Sequence, residues 1–249
     1  MTILALDTAT RATAVAISLG AAQHFEARDD PPPGQRPRHT TRLLPMVAEL
    51  FELAEVDWED IDLLAVGVGP GTFTGLRVGV ATARALGQAR RIPLVGVCTL
   101  QSLAVNALAG ADCAGTEAVL SVLDARRGEA FAAAWRVGVL AAALGGDSEH
   151  AQPADRVAAL VAPTTAGSSA LGELASQVAP SALAIGEGAV EFRQVLECSG
   201  VSVPEDDSEL HRVTAINHCR LARRIPSADF AAVLPSYLRR PDAEIALGL

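Results

Sequence analysis

A glycine-rich segment spanning residues 67–77, with the sequence GVGPGTFTGLR, is where this chain could most readily bind an anion. It lies between an apolar, strand-like run and a helical pattern, where backbone N–H groups and the helix dipole favour phosphate. The candidate nucleotide or anion loop consists of Gly69, Gly71, Thr72, Thr74 and Arg77. The glycine spacing is not that of a dinucleotide fingerprint. A sharp strand-turn-helix corner, capped by one of the threonines, explains the same residues, so both interpretations stay open.

Two aspartates at the ends of apolar strand patterns, Asp7 and Asp124, form a second candidate site. Carboxylates facing a cleft between two lobes would suit a Mg²⁺–nucleotide complex. Alternatively, each side chain closes a turn by accepting a bond from the backbone two residues on. The two aspartates lie 117 residues apart, close to half of the 249-residue chain. Because both follow the order strand, Asp, small residue, turn and strand, we expect two related lobes.

Composition excludes several classes of enzyme. All 20 basic residues are arginine, so the chain has no lysine for a Walker phosphate loop, a Schiff base or a kinase-type phosphate contact. No H-x-x-x-H or C-x-x-C pair is present, and His39 is interpreted as a cap or loop residue. We therefore predict neither a resident metal nor a catalytic residue. The net charge of −9 implies that contact with RNA requires a partner that supplies positive charge.

Two predicted helices carry patterns that could bind another protein. The helix over residues 41–55 has an apolar face, and the helix over 74–89 has small residues at every fourth position. Glycine is costly inside a helix, by about 1 kcal/mol relative to alanine, so this stripe indicates close packing. Its partner is either another protein or the chain's own sheet or first helix. The candidate interface consists of Leu43, Leu44, Val47, Leu50, Phe51, Gly75, Gly79, Ala83 and Gly87.

These sites require a mixed α/β architecture with a first lobe over residues 1–112 and a smaller second lobe over 113–249. Residues 138–152 are interpreted as a loop. No signal-peptide or membrane-span pattern is found, and we expect a cytoplasmic protein. The predicted strands are 3–6, 13–19, 23–26, 61–68, 93–97, 119–124, 129–135 and 182–185. The remaining predicted helices are 100–108, 153–161, 169–178, 188–198 and 212–224.

The sequence resembles the TsaB (YeaZ) family of tRNA threonylcarbamoyladenosine (t6A) biosynthesis proteins. The resemblance lies in residues 3–10, 39–47, 69–79, 93–97, 123–129 and 235–239, in the family's order and almost from end to end. The stretch GPGTFTGLR is its strongest marker, although part of it is shared with the catalytic paralogue. The resemblance implies a two-lobed ribonuclease-H-like fold of the actin-like (ASKHA) type, with mixed βββαβα sheets.

The resemblance also implies a function. TsaB-like proteins pair with a TsaD-like paralogue and, with a TsaE-like ATPase, support transfer of a threonylcarbamoyl group to N6 of adenosine 37 in ANN-decoding tRNAs. The first two helices form the dimer face in this family, tRNA is bound mainly through the complex, and a homodimer is possible when the partner is absent. No cofactor of its own is implied, although ATP and Mg²⁺ are possible at the subunit interface. The alternative is an independent ASKHA-type ATPase or kinase.

Overall fold

The computed structural model describes residues 1–32, 34–108, 113, 115–145 and 157–239. Five strands form the first sheet, in the order β3-β2-β1-β4-β5. The first three are antiparallel neighbours, while β4 and β5 run parallel to β1. This is the strand order of a ribonuclease-H-like fold. The strands are β1 Thr2–Asp7, β2 Thr13–Leu19, β3 Gln23–Asp29, β4 Leu63–Gly69 and β5 Leu94–Cys98.

A second sheet repeats this arrangement, as the recurring aspartate pattern predicts. Its order is β8-β7-β6-β9, with three antiparallel strands followed by a parallel one. Asp7 is the last residue of β1, and Asp124 lies near the end of β6, the equivalent strand. The strands are β6 Ala118–Arg126, β7 Glu129–Arg136, β8 Val161–Gly167 and β9 Ala182–Ile185.

Helices cover the faces of both sheets. In the first lobe, α1 (His39–Ala54) and α2 (Phe73–Arg90) bury apolar side chains on one face, and α8 (Ala215–Ala222) packs on the other. In the second lobe, α3 (Thr99–Ala104) and α4 (Val137–Gly145) share a core on one face of the sheet. The other face is covered by α5 (Ser168–Val178), α6 (Glu187–Glu191) and α7 (Arg193–Cys198). Thus α8, which lies late in the sequence, packs on the sheet of the first lobe.

The second lobe differs from the sequence prediction in three places. The predicted loop over 138–152 begins instead with α4, because the alanine- and leucine-rich stretch favours helix and buries Leu140 and Ala143. The sequence analysis also missed β8, which has no apolar alternation because it is an edge strand and carries Pro163 at a register shift against β7. The predicted helix 153–161 is also wrong where it is described: residues 157–160 are not helical and Val161 begins β8, while residues 153–156 lie outside the described residues. Residues 109–112, at the predicted lobe boundary, also lie outside the described residues.

The start of α1 also differs from the prediction. The helix begins at His39 rather than after a threonine cap, so Pro45 lies in the second turn instead of the first. The missing N–H of proline leaves one carbonyl near the exposed helix start without its helical partner. The other helices and strands agree with prediction to within a few residues. None of the helices in the described residues is long and apolar enough to cross a membrane.

Candidate functional site

Asp7 lies in the interior and not at the surface of a cleft. It is 1% exposed; its Oδ1 accepts a hydrogen bond from the N–H of Ala9 at 2.9 Å, and its Oδ2 lies 3.0 Å from Nε2 of His218 on α8. Gly67 of β4 makes room for this pair, since a Cβ there would lie 1.9 Å from Asp7 Oδ2. The turn-closing interpretation is therefore correct for Asp7, and the interpretation as a Mg²⁺–nucleotide ligand is wrong.

The buried pair continues into a Ser–His–Asp arrangement that the sequence analysis missed. Ser102 Oγ of α3 lies 2.8 Å from Nδ1 of His218, whose Nε2 faces Asp7. Nδ1 also lies 3.0 Å from the carbonyl oxygen of Thr214. Ser102 and His218 are both 0% exposed, so no substrate reaches the hydroxyl. These side chains connect α3, α8 and β1, and their chemistry is that of a structural polar network rather than of a hydrolase.

Asp124 also closes a turn. Its Oδ1 accepts from the N–H of Arg126 at 2.7 Å, and its Oδ2 pairs with the Arg126 guanidinium at 3.0 Å. Glu187, at the start of α6, has a pKa raised first by burial and then by the negative charge of Asp124. No group of three or more potential metal-ligating side chains occurs in the described part of the chain.

The glycines of the anion loop serve close packing. A Cβ on Gly71 would lie 2.3 Å from the carbonyl oxygen of Ala9, which accepts the N–H of Thr72 at 2.7 Å. Gly69 has a φ of +110°, and a Cβ there would lie 2.9 Å from the carbonyl oxygen of Ser236. Thr72 is the N-cap residue of α2, yet its side chain makes no capping bond. The loop is thus the sharp strand-turn-helix corner, fitted against the turn after β1.

A basic cleft of about 520 Å³ nevertheless opens beside this corner, at the N-terminus of α2. Thr72, Thr74 and Gly75 line it, together with three arginines that come from separate segments. In the described part of the chain, no carboxylate lines it. The arginines are Arg11, Arg36 and Arg126, of which the first two carried no signal in the sequence because they lie in loops without periodicity. The arrangement suits phosphate groups.

His39 lines the same cleft, and it is the first residue of α1 rather than the cap or loop residue that the sequence analysis predicts. Its Nδ1 lies 2.9 Å from Thr13 Oγ1, and burial lowers its pKa, so the ring is neutral at pH 7. Arg77, in contrast, is not among the lining residues. Its guanidinium lies 3.8 Å from the ring centre of Phe73, and its Nε donates to the hydroxyl of Tyr237 at 3.2 Å.

Most residues of the predicted interface lie inside the chain. Leu43, Val47 and Leu50 of α1 are at most 3% exposed and pack in the core of the first lobe. The small-residue stripe of α2 is likewise buried: a Cβ on Gly75 would lie 2.0 Å from the carbonyl oxygen of Thr8. The rest of the stripe, Gly79, Ala83 and Gly87, is buried as well. Gly79 packs against Thr8, and Gly87 packs against Phe230. The stripe therefore packs on the chain's own sheet and C-terminal segment.

The outward faces of the same two helices are a different set of residues. On α1, Leu44 is 53% and Leu53 is 63% exposed, while Phe51 is half-buried against Trp58. On α2, Ala81 and Ala85 are exposed. Leu53 lies nine residues from Leu44, which is about 180° around the helix, so the two leucines point to opposite sides of α1. We call Leu44, Ala81 and Ala85 the outer α1–α2 face. Most of the predicted interface residues are buried within the chain, and the use of α1 and α2 as an interface stays a prediction.

Comparison with known proteins gives consistent matches. The family model described as "TsaD: tRNA N6-adenosine threonylcarbamoyltransferase" matches residues 32–247. The tRNA threonylcarbamoyladenosine biosynthesis protein TsaB of Escherichia coli K12 is 40% identical over 136 residues, and the match spans 53% of each chain. The chain thus spans about half the length of this relative. An uncharacterised protein of Mycobacterium tuberculosis H37Rv is 34% identical over 250 residues, covering 98% of this chain and 94% of that protein.

Solved structures agree with the fold. A Pseudomonas aeruginosa protein described as similar to peptidase YEAZ superposes with a TM-score of 0.73 at 25% identity, covering 96% of this chain and 99% of that one. A structure of YeaZ from the same organism has a TM-score of 0.70 at 24% identity, covering 95% and 99% of the two chains, and supports the fold alone.

Proposed function

Since the chain belongs to the TsaB (YeaZ) family, we propose that it is the non-catalytic partner subunit of a complex that makes t6A in tRNA. It binds and activates a TsaD-like paralogue, which transfers the threonylcarbamoyl group to N6 of adenosine 37 in ANN-decoding tRNAs. The curated relative from E. coli is named for this pathway, and its match covers half of that protein. We place the complex in the cytoplasm, with a TsaE-like ATPase as its third member.

A non-catalytic role is supported by the way in which the chain uses its reactive side chains. Asp7, His218 and Ser102 are enclosed and lie against one another, which removes them from contact with substrate. Asp124 is paired with Arg126. Catalysis by a nucleophile requires an accessible attacking atom and a base within hydrogen-bond reach, and this network provides only the second. We therefore assign the chemistry to the paralogue.

The observation that carries the partner role is the outer α1–α2 face. A leucine more than half exposed on α1 and two exposed alanines on α2 form a surface on which another helix pair can lie closely. We propose that this face binds the TsaD-like paralogue and that two copies of the chain pair through it when the paralogue is absent. Contact with tRNA is assigned mainly to the paralogue, given the net charge of −9.

The basic cleft at α2 supports a second, smaller proposal. Three arginines and a helix N-terminus suit the phosphates of a nucleotide, and ATP with Mg²⁺ is possible there when the paralogue closes over the cleft. Independent ATPase or kinase activity remains the alternative function. Calorimetry with Mg²⁺–ATP on the isolated chain tests it: no binding at millimolar nucleotide eliminates the independent enzyme, and turnover of ATP by the isolated chain would overturn the non-catalytic role.

Reconstitution tests the main proposal. The chain, its TsaD-like paralogue and the TsaE-like ATPase are mixed with unmodified tRNA and threonylcarbamoyl-adenylate, and t6A is measured in digested tRNA. We expect t6A only when the paralogue is present, and a much lower yield when this chain is omitted. Equal yields with and without the chain would contradict an activating role. A yield from the chain alone would contradict its non-catalytic role.

A further inference from the structure

A second cleft, of about 830 Å³, lies beside α8 on the side of the first sheet that α1 and α2 do not cover. Its walls combine Arg220 of α8, and Arg223 and Arg224 of the turn that follows α8, with apolar residues from the turn over residues 105–108 and from α4. No carboxylate of the described residues lines it. None of the features used in the proposed function lies here.

The arginines lie at positions 220, 223 and 224, the first in the last turn of α8 and the other two directly after the helix ends at Ala222. Their positions are set by neutral acceptors. Arg223 donates to Ser18 Oγ at 2.8 Å and to the carbonyl oxygen of Gly20, and Arg220 donates to Asn217 Oδ1 at 3.1 Å. Among the described residues, no carboxylate pairs with the three guanidinium groups. Neutral acceptors thus hold the charges of Arg220 and Arg223 in place in the described part of the chain.

His24, on the same wall, responds to this excess of positive charge. Its pKa is lowered, first by burial and then by the charges of Arg220 and Arg223. The imidazole is consequently neutral at pH 7 and adds no further charge. A carboxylate or phosphate oxygen entering the cleft would meet an uncompensated positive potential, and guanidinium forks match such oxygens in geometry.

The rest of the cleft is apolar. Val105 and Leu108 contribute from the turn after α3, and Ala141 and Leu144 from α4. A small ion with no apolar part would leave this apolar wall exposed to water. The volume falls within the range of small-molecule sites, which bury an apolar body and orient it by a few polar groups.

We propose that this cleft binds a small amphiphilic anion, whose phosphate or carboxylate head lies on Arg220 and Arg224 and whose apolar chain covers Leu108 and Leu144. The proposal is independent of the proposed function, since the cleft contains no residue of the outer α1–α2 face or of the cleft at α2.

Calorimetry on the full chain with four probes tests the two halves of the ligand separately. Octyl phosphate and octanoate, each below its micelle concentration, carry the head and the chain; inorganic phosphate carries only a head, and octanol only a chain. We expect octyl phosphate or octanoate to bind at least ten-fold more tightly than either inorganic phosphate or octanol. The ratio of the dissociation constants of octyl phosphate and octanoate distinguishes a phosphate from a carboxylate head. Shortening octyl to butyl should weaken binding by about two- to four-fold per methylene. Equal binding of octanol, or no binding of octyl phosphate and octanoate at millimolar concentration, would overturn the proposal.

Variants locate the site. Arg220 is exposed, so Arg220→Gln leaves the fold intact, and with Arg224→Gln it should weaken binding of the better probe at least ten-fold. Arg84→Gln on α2 is the control for the single Arg220→Gln change, because it also removes one positive charge, from a residue that does not line the cleft. Unfolding temperatures confirm that all variants fold. Binding that survives in the Arg220→Gln/Arg224→Gln chain, or falls equally in Arg84→Gln, would show that the cleft is not the site.

Discussion

Asp7 Oδ2 lies 3.0 Å from His218 Nε2, and this contact joins the first strand of the chain to its last long helix. Asp7 lies at the end of β1, His218 lies on α8, and both are almost fully buried. A strand–Asp pattern typical of a nucleotide site is thus used to position α8 on the first sheet. The same contact removes the carboxylate from any solvent-exposed chemistry.

Substitutions at Asp7 and His218 should have strongly non-additive effects on the free energy of unfolding. His218→Leu leaves the Asp7 carboxylate buried without its partner, and we expect a loss of about 3–5 kcal/mol in the free energy of unfolding. Asp7→Asn combined with His218→Leu removes both the carboxylate and the imidazole, and should cost less than the two single changes added together. Urea unfolding of the four proteins of this double-mutant cycle measures the coupling. Additive losses would mean that the two side chains do not interact.

Replacing a helical glycine by alanine should lower or raise the free energy of unfolding according to the space around its Cα. Gly75→Ala places a Cβ 2.0 Å from the carbonyl oxygen of Thr8, so we expect a loss of about 1–3 kcal/mol despite the better helix propensity of alanine. Gly138→Ala on α4 is the matched control: a Cβ there meets no atom within 4 Å, and the change should stabilise by up to about 1 kcal/mol. Both values come from thermal or urea unfolding. A stabilising Gly75→Ala would mean that the stripe is free to bind a partner.

Glu26 should make stability depend on pH in a defined direction. Its Oε1 accepts the N–H groups of Ala215 and Ile216 at the start of α8, at 2.5 and 3.2 Å. Burial nevertheless raises its pKa above the ordinary value of 4.5. The folded chain therefore holds this proton more tightly than the unfolded chain, and the group's contribution to stability falls as pH rises from 4.5 through the raised pKa.

Glu26→Gln keeps an acceptor for the helix start and has no proton to lose. We expect the difference in unfolding free energy, Gln variant minus wild type, to increase as pH rises above 4.5 and then to level off. Unfolding by urea at a series of pH values measures it, with Glu52→Gln on the exposed side of α1 as a control that should show no such trend. A difference that is constant or that falls with pH would contradict the dominant effect of burial.

The fold could be predicted from sequence because its signals are local and repeated. The strand–Asp–turn pattern occurs twice and predicts two related sheets. The helical periodicity of apolar residues predicts α1, and the glycine-rich turn predicts the corner before α2. The Asp7–His218 contact could not, because its members lie at opposite ends of the chain and no local pattern marks His218 as the partner of Asp7. A small-residue stripe indicates close packing without naming the neighbour, so the sequence could not show that the stripe of α2 faces inward. In this chain the neighbours of the stripe are Thr8 and Phe230.

The binding of the TsaD-like paralogue to the outer α1–α2 face tests the central claim most directly. Leu44→Asp places a carboxylate where a leucine is 53% exposed, and Ala81→Arg adds a long charged side chain on the neighbouring helix. Val139→Asp, at a 39% exposed position on α4, is the control away from this face. Dissociation constants are measured by calorimetry with the purified paralogue. We predict that Leu44→Asp and Ala81→Arg each weaken the complex at least ten-fold while Val139→Asp leaves it unchanged; equal affinities for all four proteins would contradict the account.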